Sequence, residues 1–212
     1  MHQEPDTRTR LMEAAGQVFA ERGFKAATIR EIVDRAGANL AAVNYHFGDK
    51  ESLFSEVLRD TVREALDRYP ADGGVAPDQP AEERLEAAIR SFLQRGLGAG
   101  QTGWRGQLLA REMADPSPLT LDTVEPLVRP VHEHLARLVR ELVGPDLDET
   151  RAWLCSTSII SQCVLARKWE HLGDRFGPPQ LPPAPRRFEL LADHITRFSL
   201  AALRGLRSEE TP

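Results

Sequence analysis

Residues 28–54 read Thr-Ile-Arg-Glu-Ile-Val-Asp-Arg-Ala-Gly-Ala-Asn-Leu-Ala-Ala-Val-Asn-Tyr-His-Phe-Gly-Asp-Lys-Glu-Ser-Leu-Phe. The stretch spells two short helices joined by a tight turn, with a third helix directly behind. Thr28 followed by Glu31 forms a capping box, which satisfies orphan amide donors at a helix start. Ile29, Ile32, Val33 and Ala36 recur at helical spacing and give one apolar face. Gly37 stands where a helix stops, because glycine takes the left-handed conformation without steric cost. Asn39 can cap a second helix, Leu40 to about Phe47, whose Ala41, Ala42 and Val43 are small enough to let its backbone approach a groove closely. Asp49 caps the third helix, with Glu51 in its acidic first turn. Two helices across such a turn are the layout of a helix-turn-helix, which lays its second helix in the DNA major groove.

Working outward, Leu11, Ala14, Ala15, Val18 and Phe19 form a helical stripe that Asp6 or Thr7 can cap and Gly23 ends. Leu53, Phe54, Val57, Leu58, Val62 and Leu66 mark a helix from about 50 to 68, and the Pro and Gly of residues 70–80 break it. Every convincing segment beyond is helical. Leu85, Ala88, Ile89, Phe92 and Leu93 mark one helix, and Trp104 to Ala114 another. Residues 120–143 form a long pattern in which Pro126 and Pro130 predict a kink or restart. An apolar helix from about 147 to 172 follows, then a proline-rich loop over 173–187 and a last helix from about 188 to 205. No strand-like alternation and no internal repeat is present. The expected fold is all-α with about nine or ten helices. A three-helix helix-turn-helix domain occupies residues 1–50, its following helix connects, and a larger C-terminal helical bundle fills 51–212.

Composition fits an ordinary globular chain: 212 residues, 41% hydrophobic and 28% charged. No stretch reaches the length of a membrane span, and the opening residues have no apolar signal-peptide core, so a cytoplasmic location is expected. Cys155 and Cys163, eight apart on one helix, are too distant for a disulfide within it and read as small buried hydrophobes, with a thiol sensor as the alternative. The net charge is −5, and residues 1–50 hold seven Lys and Arg against seven Asp and Glu. A neutral head should make few cationic phosphate contacts and show a modest salt dependence. His132 and His134, two apart, point to different faces of a helix and make no metal site. No Cys-x-x-Cys, His-Glu-x-x-His, phosphate-loop or Gly-x-Ser-x-Gly pattern occurs, so no catalytic residue, metal or cofactor is expected.

Residues 10–54 resemble the N-terminal domain of the TetR family of bacterial transcriptional regulators. The matching elements are Ala14-Ala15, Phe19, Gly23-Phe24, Thr28, Ile32, Ala36-Gly37, Val43, Tyr45-His46-Phe47, Lys50 and Leu53-Phe54. One departure is Asn44, where the family usually carries an aromatic residue that touches phosphate; an amide there can reach phosphate or read adenine. Residues 43–51 and 191–198 also resemble the CecR-like subgroup.

That resemblance implies roles. Thr28, Arg30, Tyr45, His46 and Lys50 are expected at phosphate or groove, and Asn39, Leu40, Ala41 and Asn44 at base edges. It implies a homodimer joined through the last two helices, with Trp153, Ile160, Cys163, Val164, Phe188, Leu191, Ile195, Phe198 and Ala202 at the interface. It also implies a small-molecule pocket in the C-terminal bundle, with Phe92, Trp104, Gln107, Arg111, His132, Gln162 and Trp169 as candidates beside a competing role in core packing. The expectation is therefore a homodimeric repressor released from a palindromic DNA operator by a small hydrophobic effector. The alternative is a ligand-independent DNA-binding adaptor or structural protein, which would have a fully packed C-terminal core.

Overall fold

The computed structural model describes residues 6–97, 103–176, 182 and 184–209, excepting the side chains of 96–97, 167–176, 184–185 and 208–209. Among the described residues the fold is all-α, with nine helices and no strand. They are α1 (Thr7–Ala26), α2 (Ile29–Ala36), α3 (Leu40–Phe47), α4 (Lys50–Arg68), α5 (Ala81–Leu97), α6 (Trp104–Ala114), α7 (Thr120–Val143), α8 (Glu149–Phe176) and α9 (Ala184–Glu209).

The helix starts are fixed by side-chain caps of the kind the sequence encodes. Asp6 Oδ1 accepts from Thr9 N at 2.7 Å, Asp49 Oδ1 from Ser52 N at 2.7 Å, and Asp148 Oδ1 from Arg151 N at 2.8 Å. Each satisfies an amide that the first turn leaves without an intrahelical partner. Gly23 interrupts the regular helix of α1, as the sequence leads one to expect. It sits at φ 77 in a break, after which one more turn runs to Ala26.

Two other stretches refine the sequence reading. Residues 120–143 form one continuous helix across Pro126 and Pro130, with no restart. Each proline removes an amide donor from the helix ladder, and the apolar face that buries Leu135, Leu138, Val139 and Val143 outweighs that loss. The last helix starts at Ala184, four residues before the expected 188, with Pro185 in its first turn, where a missing amide costs nothing. Much of the expected proline-rich loop, 177–181 and 183, lies outside the described residues.

The chain packs as two compact units. The first holds residues 1–64 and 100–127, the second 65–99 and 128–212. In the first, α1 packs against α2, α3 and α6. Phe19, Phe24 and Phe54 meet there with ring centroids 4.9–6.4 Å apart. In the second, α5 packs against α8 and α9 around a core that includes Leu85, Ile89, Leu93, Leu135, Val139 and Ile195.

Candidate nucleic-acid interface

The interface grows out of the turn between α2 and α3. Thr28 Oγ1 accepts from Glu31 N at 3.2 Å, while the Glu31 carboxylate lies 3.3 Å from Arg22 Nε. Gly37 closes α2 in the left-handed conformation (φ 59, ψ 41), and Ala38 N donates back to Val33 O at 3.0 Å. Asn39 Oδ1 then accepts from Ala42 N at 2.9 Å and starts α3. On α3, Val43 and Phe47 turn into the core. Leu40, Ala41, Asn44 and Tyr45 of α3 are all exposed. Leu40 is 57% exposed and Tyr45 85%. Large side chains held in water on a rigid, capped helix are unusual for a lone surface and fit a face made to meet a partner.

The cations of the head are mostly occupied. Arg35 grips Glu21 through both terminal nitrogens, at 2.6 and 2.8 Å. Arg8 pairs with Glu56 and stands 5.5 Å over the Phe47 ring. Lys50 turns inward: Nζ donates to Phe24 O and Ala27 O, each at 2.9 Å, and lies 4.6 Å over the Phe24 ring. Two of its three donors thus tie α4 to the end of α1. Arg30 is exposed, and among the described residues no ion-pair partner faces it. Thr28 and Asn39 are exposed at the starts of α2 and α3, and His46 is half-buried, its ring 4.9 Å from that of Tyr45.

The residues proposed from sequence for a pocket are not gathered in one place. Phe92 lines a cavity of the second unit. Gln107 and Arg111 line a cleft of about 620 Å3 in the first unit, beside Gly23 and Phe24. Trp104 packs on α1, where its Nε1 donates to Glu13 Oε1 at 2.6 Å. His132 is half-buried, Gln162 bonds back to Ser158 O at 3.4 Å, and the Trp169 side chain lies outside the described residues. Arg95, which the sequence did not single out, and His134, which it weighed and set aside only as a metal ligand, join Phe92 around the cavity. A signal existed: each interrupts an apolar helical stripe, Arg95 following Ala88 and Phe92, and His134 lying between Val131 and Leu138.

The dimer candidates also divide. Cys163 and Ile195 sit in the protomer's own core, with Ile160, Phe188 and Leu191 packed against it. Val164 is half-buried. Trp153, Phe198 and Ala202 are exposed, and Leu154, Leu165 and Leu190 are exposed beside them. No group of three or more His, Cys, Asp or Glu among the described residues could hold a metal ion, and no helix among them is long and apolar enough to cross a membrane.

A trihelical head presenting a capped, exposed helix after a left-handed glycine turn is that of a helix-turn-helix DNA-binding protein. Residues 11–57 match the model of the bacterial regulatory proteins of the TetR family, and residues 81–203 that of the C-terminal domain of the HTH-type transcriptional dual regulator CecR. The chain belongs to the TetR family of DNA-binding transcriptional regulators, with a C-terminal domain of the CecR type. It is 30% identical over 167 residues to CecR of Shigella flexneri, covering 74% of each chain. It is 40% identical over 62 residues to the repressor KstR2 of Rhodococcus jostii, covering 29% of this chain and 30% of that protein. The fold is also that of the regulator FadR from Bacillus subtilis in complex with stearoyl-CoA, at TM-score 0.65 and 14% identity, covering 91% and 97% of the two chains.

Proposed function

We propose that the protein is a homodimeric, ligand-responsive repressor that binds a palindromic operator through α3 and leaves it when a small molecule occupies the second unit. The observation that carries this reading is the outward face of α3. Leu40, Ala41 and Asn44 meet base edges, with Asn44 offering a paired donor and acceptor to adenine. Tyr45, Arg30 and the capped start of α2 at Thr28 meet phosphate, where amides and positive helix ends favour anions, and Asn39 at the start of α3 lies with the base-edge residues. His46 lies at the rim of that face, and Lys50 holds it in place from behind.

Two copies meet through the apolar residues left in water on α8 and α9: Trp153, Leu154, Leu165, Leu190, Phe198 and Ala202. Trp153 and Phe198 are 53% and 59% exposed, more than a monomer should leave on paired helices. A two-fold dimer would carry two α3 helices to two half-sites, which calls for a palindrome. Regulation by a small molecule is supported by the stearoyl-CoA complex of a protein with the same fold, and repression by the relative KstR2. An effector works here only if it binds one dimer conformation better than the other. Such a protein acts in the cytoplasm, where its operator is.

The test is fluorescence anisotropy of the purified protein with DNA from its own upstream intergenic region and with a scrambled duplex, at two salt concentrations. Selective binding at two protomers per site, or a multiple, is expected. Equal, weak binding to both duplexes would overturn the reading.

A further inference from the structure

The second unit holds a cavity whose walls are those of a ligand site. Phe92 of α5, Val131 and Leu135 of α7, and Ile159 and Ile160 of α8 make it apolar. Into this lining come two polar side chains, Arg95 and His134, each with an atom shut off from water and without a hydrogen-bond partner: Arg95 Nη2 and His134 Nε2. The rest of the Arg95 guanidinium is held. Nη1 donates to Tyr69 O at 2.5 Å and to Ser91 Oγ at 3.3 Å, and the group stands 5.2 Å from the Phe92 ring centre. The side chain is therefore fixed, with one nitrogen left over.

The electrostatics at this place are unbalanced. Burial lowers the Arg95 pKa to about 10, and among the described residues no carboxylate pairs with it. The remaining polar group of the wall, the Cys163 thiol, is pushed up to about 12 by burial and carries no charge at neutral pH. Buried cations are ordinarily paired, and an unmade hydrogen bond on one is more costly than a lost neutral bond. A neutral apolar guest would leave that cost in place. A cation would add to it. An anion removes it and gains a charge-assisted bond of the strong kind.

We propose that this cavity is the effector site and that its effector class is a small amphipathic monoanion. A carboxylate-type head is held by Arg95 Nη2 and His134 Nε2, and an apolar body lies against Phe92, Leu135 and Ile159. The inference rests on the ligand-responsive reading above and names the chemistry that reading leaves open. The space now between the walls is about 10 Å3, room for about one water. A larger guest must part α5, α7 and α8 to enter, so occupancy is coupled to helix spacing, as an effector requires.

The experiment uses the full chain and named probes: octanoate and phenylacetate, against their neutral counterparts 1-octanol and 2-phenylethanol. Binding is read by calorimetry and by thermal shift, with operator anisotropy on the same samples. At least one acid is expected to bind and raise the Tm, with its alcohol weaker by about 10-fold or more. Arg95→Met should weaken acid binding by about 10- to 100-fold, to the level of the alcohol, with each shift read against the variant's own Tm because the bonds to Tyr69 O and Ser91 Oγ go with the guanidinium. If Arg95→Met does not fold, the acid-to-alcohol contrast in the wild type decides alone. Equal binding of acid and alcohol, acid binding untouched by Arg95→Met, or no stabilisation by either acid would each overturn the assignment. Operator binding that persists through such a failure leaves the regulator reading intact, whereas loss of selective operator binding by the wild type would count against that reading instead.

Discussion

The indole of Trp104 occupies the space that a Cβ on Gly16 would need: built at its ideal position, that atom would lie 2.2 Å from Trp104 Cζ3. Trp104 opens α6 and Gly16 is in the middle of α1, and the indole Nε1 fixes the ring by donating to Glu13. An ordinary helical Gly→Ala change gains about 1 kcal/mol. Gly16→Ala should instead destabilise the protein by about 1–3 kcal/mol, since the ring cannot stay where it is. Urea unfolding measures it, and an unchanged or raised midpoint would refute the close packing.

Lys50 should act through the fold, not through phosphate. Lys50→Met removes the two bonds to Phe24 O and Ala27 O and should cost about 1.5–3 kcal/mol of stability. Operator affinity should fall with it, but the slope of log K against log salt should not change. A slope shallower by about 1 per protomer, with stability intact, would instead mark a phosphate contact.

Arg30 should behave in the opposite way. It is exposed and has no ion-pair partner among the described residues, so Arg30→Ala should leave the Tm within about 1–2 °C of the wild type. It should weaken operator and scrambled DNA alike and reduce the salt slope by about 1 per protomer. Asn44→Ala should relax sequence preference, at about 1–3 kcal/mol per half-site, without changing that slope. For the wild-type dimer a shallow slope, about −2 to −4, follows from so few free cations.

Acidification should weaken the second unit before it weakens the caps. Burial holds His132 and His134 below their ordinary 6.5, with Arg137 and Arg84 adding to the effect on His134 and Asp72 opposing it. The unfolded chain takes up protons near 6.5 that the native state refuses, so this stability is fully present above about pH 6.5 and is lost as pH falls below it. The capping carboxylates Asp6 and Asp49 are lowered from 3.8 by hydrogen bonds from Thr9 and Ser52. Their contribution persists until the pH falls below that value. Urea midpoints at about pH 7.5 and about pH 5 should differ in the wild type, and by less in the double variant His132→Gln, His134→Gln.

Cys163 should be chemically silent in the folded protein. With its thiol pushed to about 12, only about one in ten thousand is thiolate at pH 8. Cys155 is also raised by burial but is less enclosed. A thiol reagent should label Cys155 slowly and Cys163 only on unfolding; prompt labelling of both in native buffer would restore a sensor role.

What the sequence made legible was local. Thr28, Gly37, Asn39 and Asp49 act within three or four residues of themselves, so the turn between α2 and α3 and the caps could be read directly. Lys50 could not, because its partners at Phe24 and Ala27 are more than twenty residues away and meet it only once α1 and α4 pack. The prolines of α7 left a restart open for the same reason: their local cost is visible in sequence, the buried face that keeps the helix continuous is not. Cys163 and Ile195 lay on stripes apolar enough to serve a partner or a core, and periodicity alone does not choose between them. Arg95 and His134 were visible as breaks in such stripes, but only the fold brings them to one cavity.

The pairing of Arg8, Arg22 and Arg35 with Glu56, Glu31 and Glu21 has a consequence for how the protein spends its time on a chromosome. Bulk DNA holds a protein almost entirely through free cations, and random sites outnumber an operator by a factor of about a million or more. A head in which these three arginines are already neutralised by its own acids is held less well by that excess. Fewer copies are sequestered on irrelevant sequence, so a small cellular pool can keep one operator filled and can vacate it quickly on release.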